Sequence, residues 1–315
     1  MPQGRTGSGL IVKNGMRLGV VGAVALLQAA TASAGLGALV APDAQPAVLG
    51  SGYGFCEGPA ADGAGNVYFS DGRTNAIHRY TPGKPVALFT GDSFDANGMM
   101  FNANGELVVC EGAAFRVVAI DVKSGRRRVL AGGGTTREFN EPNDLAVDRQ
   151  GGFYFTDPNY RHRGQPPVRK EDVYHVSPDG AVTCVSTVCK KPNGILLSPD
   201  GRTLYVADNG GKCIYRYDVT GPGRLANEKM WIDLGAGPDG LTLDARGNLY
   251  VACGPVGVKV HAPDGSPLGI LAPGVYASNV VFGGPDFKTL FITSKDKFLG
   301  LPMKVEGVRP LPPAP

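Results

Sequence analysis

Along most of the chain, short apolar runs come in pairs, joined by a tight turn and bracketed by polar residues. The clearest copy is Asn193-Gly194-Ile195-Leu196-Leu197-Ser198-Pro199-Asp200-Gly201-Arg202-Thr203-Leu204-Tyr205-Val206-Ala207-Asp208. It reads as a polar residue and Gly, an apolar run, Pro-Asp-Gly, a second apolar run, then an acid. Two short strands joined by a turn follow, because Gly and Asp supply the turn backbone while Leu, Tyr and Val suit a pleated strand. The unit recurs as EGPAADGAGNVYFSD from Glu57, NGMMFNANGELVVCE from Asn97 and NDLAVDRQGGFYFTD from Asn143. It recurs again as DGLTLDARGNLYVAC from Asp239 and NVVFGGPDFKTLFITS from Asn279.

Aligned on the turn, Glu57, Asn97, Asn143, Asn193, Asp239 and Asn279 share one position, at separations of 40, 46, 50, 46 and 40 residues. A period of roughly 40–45 residues with several strands per repeat marks an all-β propeller. Six repeats predict a six-bladed β-propeller of four-stranded antiparallel blades around a central channel. Blade one places its strands near Gly58–Ala61, Val67–Phe69, Ala76–Tyr80 and Pro85–Thr90. The last repeat needs an outer strand, which Ala47–Leu49 can supply, closing the ring and removing an open edge. The propeller then spans 46–304, and 305–315 is a C-terminal tail expected to fray from Arg309 onward. The longest insertion, Pro158 to Asp172 in blade three, carries Tyr160-Arg161-His162-Arg163. Loops that interrupt a regular repeat lie on one face and often help bind ligand.

Composition adds little beyond this. A chain of 315 residues suffices for one such core, so no second domain is required. The 47 Gly and 25 Pro fall at regular turn positions and punctuate strands. A net charge of +3, with Arg126-Arg127-Arg128 as a short solvated turn, makes nucleic acid an unexpected partner. Residues 1–45 do not fit the repeat, and 1–34 read as a leader. Met16-Arg17, the apolar run Leu18 to Leu27 and the small-residue end Ala32-Ser33-Ala34 describe a secretory signal peptide, with Met16 as an alternative start. The run is too short for a stable membrane span. An exported, periplasmic or secreted protein is expected; the alternative is a disordered extension on a cytoplasmic one. The six cysteines include no Cys-x-x-Cys pair, and Cys110, Cys213 and Cys253 sit inside apparent strands as small apolar residues.

The shared position lies just before each innermost strand, so six polar side chains should converge at one mouth of the channel. The second strands end on the same face, at Asp71, Glu111, Asp157, Asp208 and Cys253. Carboxylates and amides without imidazole or thiolate in the ring suit a hard cation such as Ca²⁺ or Mg²⁺. Asn97 and Asn279 also read as turn residues that bond their own backbone. Asp71, Asp157 and Asp208 read as acids that bond backbone N–H groups of adjacent loops. Glu57, between Cys56 and Gly58-Pro59, is an expensive place for an unpaired charge.

The segments EGPAADGAGNVYFSD, EPNDLAVDRQGGFYFTDPNY, KPNGILLSPDGRTLYVADN and PDGLTLDARGNLYVACG together resemble the SMP-30/gluconolactonase/LRE-like family of six-bladed propellers, over about residues 46–304. The resemblance implies a lactonase with a divalent cation at the channel mouth, Ca²⁺ first and Mg²⁺, Mn²⁺ or Zn²⁺ as alternatives. It implies Glu57, Asn193 and Asp239 as ligands, and Asn143 beside the ion, touching it or the substrate. The same resemblance makes Asp239 the candidate base for the attacking water. Some sugar-lactonase members carry Arg where this chain has Glu141, so Glu141 and His162 become candidate substrate contacts and the preference for aldonolactones is left open. The expected substrate is a small lactone or ester, gluconolactone among them. Two readings stand beside this one: phosphotriester or aryl-ester hydrolysis on the same site, and a propeller that only binds.

Overall fold

A computed structural model describes residues 35–160, 164 and 166–310. The predicted signal peptide and Arg161, His162 and Arg163 lie outside the described residues. Among the described residues, twenty-four strands form six four-stranded antiparallel sheets, and each sheet is one blade of a six-bladed propeller. Blade six is completed by Ala47–Ser51, which pairs with Lys297–Pro302, Ala47 opposite Gly300 and Ser51 opposite Lys297. The first strand of the ring and the last are thereby joined in one sheet, which leaves no broken seam between the chain ends.

Burial falls from the channel outward because inner strands are covered by neighbouring blades on both faces. Every residue of Cys56–Ala61 and of the next strand, Val67–Asp71, is buried, whereas no residue of the outer strand Ala87–Thr90 is. The core is a set of apolar clusters that join adjacent blades. One joins Ala60, Tyr68 and Ile77 of blade one to Met99, Phe101 and Leu107 of blade two. Where blade six meets blade one the filling is aromatic, with Phe69 stacked on Phe298 at 4.3 Å.

Three of the six inner strands share an irregularity that bears on function. Their pairing slips between Glu57 and Ala60, between Ala96 and Met99, and between Pro192 and Ile195. Each slip contains one of the shared polar residues and the Gly after it. A bulge of this kind ends the ladder locally and re-aims a side chain, here into the channel mouth.

Both ends of the described chain grip the barrel. Leu39 and Val40 join the blade-five and blade-six core, the carbonyl of Leu39 accepts the Lys304 N–H at 2.7 Å, and Lys304 Nζ donates to the Gly37 carbonyl at 2.9 Å. Of the segment expected to fray, Arg309 and Pro310 are described. Val308 N–H donates to the Leu243 carbonyl at 3.1 Å, and the Arg309 guanidinium sits 4.4 Å over the Phe287 ring while its Nε bonds Glu306 at 2.8 Å. The tail has no strand periodicity of its own; it meets the inner strand of blade five at Leu243 and the blade-six turn that carries Phe287. All six cysteines are free, five of them buried. Among the described residues no helix is long and apolar enough to cross a membrane.

Candidate active site at the channel mouth

The shared polar position does form a ring. Glu57, Asn97, Asn143, Asn193 and Asp239 all line a cavity of about 640 Å³ at one mouth of the channel. Glu57, Asn143 and Asn193 are buried, while Asp239 and Asn97 keep some surface toward the opening. The sixth member, Asn279, lies beneath them. Its Oδ1 accepts the Val280 N–H at 2.8 Å, the local bond expected of a turn residue, and its amide also hydrogen-bonds Glu57 and Asp144.

The blades approach this closely because glycine follows the ring residue in four of them: Gly58, Gly98, Gly194 and Gly240. At Gly58, φ is +43° and a Cβ would stand 1.9 Å from the Asn97 carbonyl oxygen. At Gly98 a Cβ would stand 2.2 Å from a carboxylate oxygen of Asp144. Blades three and six depart from the series, with Asp144 and Val280 in place of those glycines. Asp144 puts a third carboxylate just inside the ring, a residue that comparing the six repeats position by position would have exposed.

The electrostatics of the three acids follow from enclosure among like charges. Burial, then the negative charge of Asp239, pushes the Glu57 carboxyl well above the usual carboxylate range; the Gly58 N–H, at 3.1 Å from Glu57 Oε2, and the Asn279 amide offset part of this. Burial and the charge of Asp144 likewise push Asp239 up, with the Asn193 amide opposing. Asp144 itself is pushed up to about 7 by burial, against donors at Leu145, Asn279 and Ile195. The charges that act on Glu57 are all of one sign. A divalent cation bound among them would answer that field, and the donor set, carboxylate and amide oxygens, is what a hard cation takes. Among the described residues no three His, Cys, Asp or Glu side chains cluster at metal-binding spacing, so amide oxygens must complete such a site.

The ring residues are held from behind by the second-strand acids. Asp71 accepts the N–H groups of Gly54 and Phe55 at 2.8 and 2.9 Å, and Asp157 those of Asn140 and Glu141 at 2.8 and 2.9 Å. Asp208 accepts those of Lys190 and Lys191 at 3.0 and 2.9 Å. The expected backbone bonding is thus present in all three. Glu111, the matching acid of blade two, turns instead to Arg116 at 2.5 Å and Arg127 at 3.2 Å.

Other residues reach the cavity from loops. Phe55 and Tyr276 form an aromatic wall, with ring centroids 6.2 Å apart. Glu141 also lines the cavity, and its Oε2 accepts the Tyr160 N–H at 3.2 Å. Tyr160 enters from the blade-three insertion, where its hydroxyl accepts the side-chain amide N–H of Asn193 at 2.7 Å. Its neighbour His162, the other candidate from that insertion, is outside the described residues. Tyr160, Tyr276 and Asp144 were not picked out from the sequence as site residues. Tyr160 sits in an insertion without repeat equivalents and Tyr276 in the connection that leads into the blade-six inner strand, where nothing in the periodicity shows which way a side chain faces.

Comparison with known proteins agrees with this architecture. The model of the SMP-30/gluconolactonase/LRE-like region matches residues 55–296. A gluconolactonase of Zymomonas mobilis is 30% identical over 334 aligned positions, covering 96% of this chain and 92% of that protein. A diisopropyl-fluorophosphatase of Loligo vulgaris is 30% identical over 210 positions, covering 61% of this chain and 62% of that one. The solved structure of a gluconolactonase from Xanthomonas campestris superposes with a TM-score of 0.78 at 29% identity, covering 86% of this chain and 93% of that one.

Proposed function

The chain belongs to the SMP-30/gluconolactonase/LRE-like family, and on that premise we propose that it is a lactonase that opens a lactone ring with the aid of a divalent cation held at the channel mouth. The observation that carries the reading is the Glu57–Asp239 pair, two carboxylates whose charges act on one another in a cavity otherwise ringed by the amides of Asn97, Asn143 and Asn193. A scaffold has no need of converging acids in its channel, and leaving them there without an opposite charge is costly. Glu57, Asn193 and Asp239, with Asn143 beside them, are the residues that would hold the ion, Ca²⁺ being the first choice for this oxygen set. When bound, the ion supplies Lewis-acid polarisation of the lactone carbonyl and positive charge where the oxyanion develops.

The protein's own groups supply the rest. Asp239 takes a proton from the attacking water as the water oxygen bonds to the carbonyl carbon. The ring carbon–oxygen bond then breaks, and the departing ring oxygen takes up a proton to leave an open hydroxy acid. Asn143 orients the substrate or the water with its amide. Glu141 stands at the cavity wall as an acceptor for substrate hydroxyls, with one oxygen already engaged by the Tyr160 N–H. Sugar lactones, gluconolactone among them, are the proposed substrates. Export to the periplasm or the medium, with cleavage after Ala34, is proposed on the signal-like segment, and N-terminal sequencing of the protein recovered outside the cytoplasm checks it.

The test is lactone ring opening by residues 35–315, measured as acid release from D-glucono-1,5-lactone and a small lactone panel. It is run after chelation and again after return of Ca²⁺, Mg²⁺, Mn²⁺ or Zn²⁺, with spontaneous hydrolysis subtracted. Turnover restored by a metal and abolished in Asp239→Asn supports the reading. Absence of turnover on every lactone, with the cation bound, overturns it and directs attention to the phosphorus and aryl esters, for which the resemblance to the Loligo enzyme is the reason to include diisopropyl fluorophosphate in the panel.

A further inference from the structure

Asn193 presents two different atoms at the end of its side chain, and only one of them, the carbonyl oxygen Oδ1, can ligate a cation. The two orientations of the amide differ by a half-turn about the last side-chain bond, which is soft. Something must choose between them. The backbone of Asn193 is pinned by Thr156, whose Oγ1 donates to the Asn193 carbonyl at 2.7 Å, but that bond leaves the side-chain amide free to turn.

The blade-three insertion takes part in that choice, together with Asp239. Asn193 Nδ2 donates to the hydroxyl of Tyr160 at 2.7 Å, thirty-three residues away in the chain. The same amide also donates to the Asp239 carboxylate, so the nitrogen end is held by both groups and the carbonyl end is turned from the tyrosine. The tyrosine is itself held elsewhere along its length. Its N–H donates to Glu141 Oε2 at 3.2 Å, and the ammonium of Lys191 lies 4.8 Å from the centre of its ring. That ammonium is fixed by Glu171 Oε2 at 2.9 Å and by the Asn159 carbonyl at 2.9 Å, and Glu171 Oε2 also accepts the Asn159 N–H at 2.9 Å. Insertion and the entry to the inner strand are therefore tied by an ion pair and a cation–ring contact that hold Tyr160, and by the amide–hydroxyl bond from Tyr160 to Asn193.

We propose that Tyr160 is a positioning residue that sets the amide of Asn193 with its carbonyl oxygen toward the ring, and that the Glu171–Lys191 pair holds the tyrosine in place to do so. The inference rests on the cation reading of the site. It assigns a purpose to the longest insertion in the repeat: the loop supplies the outer partner of a ligand, as metal-bound histidines and carboxylates commonly have, and such partners are worth roughly 10–100-fold in metal affinity.

The test is a double-mutant cycle read by calorimetric titration of Ca²⁺ into chelated protein, with folding of each variant checked by near-UV circular dichroism. Tyr160→Phe keeps the ring and removes the hydroxyl, and is expected to weaken Ca²⁺ binding about tenfold. In an Asn193→Asp background both terminal atoms are oxygens and no orientation has to be chosen, so the same change is expected to cost less than about twofold. Lys191→Met, which leaves the hydroxyl intact but frees the ring, is expected to weaken binding several-fold, and carries the test alone should Asn193→Asp not fold. Equal losses from Tyr160→Phe with Asn193 intact and in the Asn193→Asp background would mean a general structural role and overturn the proposal. So would affinity unchanged in both Tyr160→Phe and Lys191→Met. If the unaltered chain takes up none of Ca²⁺, Mg²⁺, Mn²⁺ and Zn²⁺, the cation reading falls and the proposal with it; insensitivity to Tyr160 in a chain that does bind sinks the proposal alone.

Discussion

The carboxylate of Asp208 accepts the backbone N–H of Lys191 at 2.9 Å and so grips the chain two residues before Asn193. The relationship is repeated at the same offset, Asp71 holding Phe55 before Glu57 and Asp157 holding Glu141 before Asn143. An acid at the end of each of these second strands thus fixes the entry of the strand that carries the ring residue. Asp208→Asn keeps the shape of the side chain but leaves only one carbonyl acceptor for two donors. It is expected to cost about 1–3 kcal/mol in urea unfolding, and to weaken cation binding as Asn193 loses its fixed approach.

Gly58 has no room for a side chain. Its φ of +43° is strained for any other residue, and a Cβ would lie 1.9 Å from the Asn97 carbonyl oxygen, a backbone atom of the next blade. Gly58→Ala is expected to destabilise by about 2–3 kcal/mol and to displace the adjoining Glu57. Gly63→Ala, where a Cβ meets nothing within 4 Å, should fall within about 0.5 kcal/mol of the parent. Denaturant midpoints of the pair check this, and equal midpoints would contradict it.

Glu57, Asp144 and Asp239 are all pushed above the ordinary carboxylate range by burial, and Glu57 and Asp239 also by neighbouring carboxylates. For an acid whose folded value is raised, the associated stability is present below the unfolded value, about 4, and is lost as pH rises through the folded value. Chelated protein is therefore expected to lose thermal stability from about pH 4 upward through pH 7, the value to which Asp144 is pushed. A bound divalent cation displaces the protons, so saturating Ca²⁺ should flatten that decline, and Ca²⁺ affinity should rise with pH across the same window. Melting curves with and without chelator across this range, with titrations in two buffers of different ionisation enthalpy to count released protons, measure both.

Residues 35–45 lie outside the repeat, yet Leu39 is 2% exposed and packs with blades five and six. Leu39→Ala is expected to cost about 2–4 kcal/mol. A chain trimmed to begin at residue 46 loses that packing together with the Lys304 contacts to Leu39 and Gly37. Its melting temperature should drop by several degrees or more, whereas trimming to residue 35 should not lower it.

Repetition made the fold legible. Because every blade must bury its inner strands against its neighbours, the same apolar pairs and the same turn recur, and the alignment of six short segments yielded the blade number, the closing strand and the ring position from Glu57 to Asn279. The three backbone-bonding acids were legible for the same reason, since a repeated contact leaves a repeated residue. Asp144 was legible in the same alignment, at the position where four blades carry glycine, but it stands one residue past the shared polar position. Tyr160, Tyr276 and the anchored segments at either end were beyond reach. Their contacts join residues far apart in sequence, such as Tyr160 with Asn193 and Lys304 with Leu39, through loops that have no periodicity. Which atom of an amide faces a channel, and which acids share one another's field, depends on distances of a few ångströms between blades. Local pattern carries the strand-forming and burial preferences of each segment; only closing the ring brings those side chains within reach of one another.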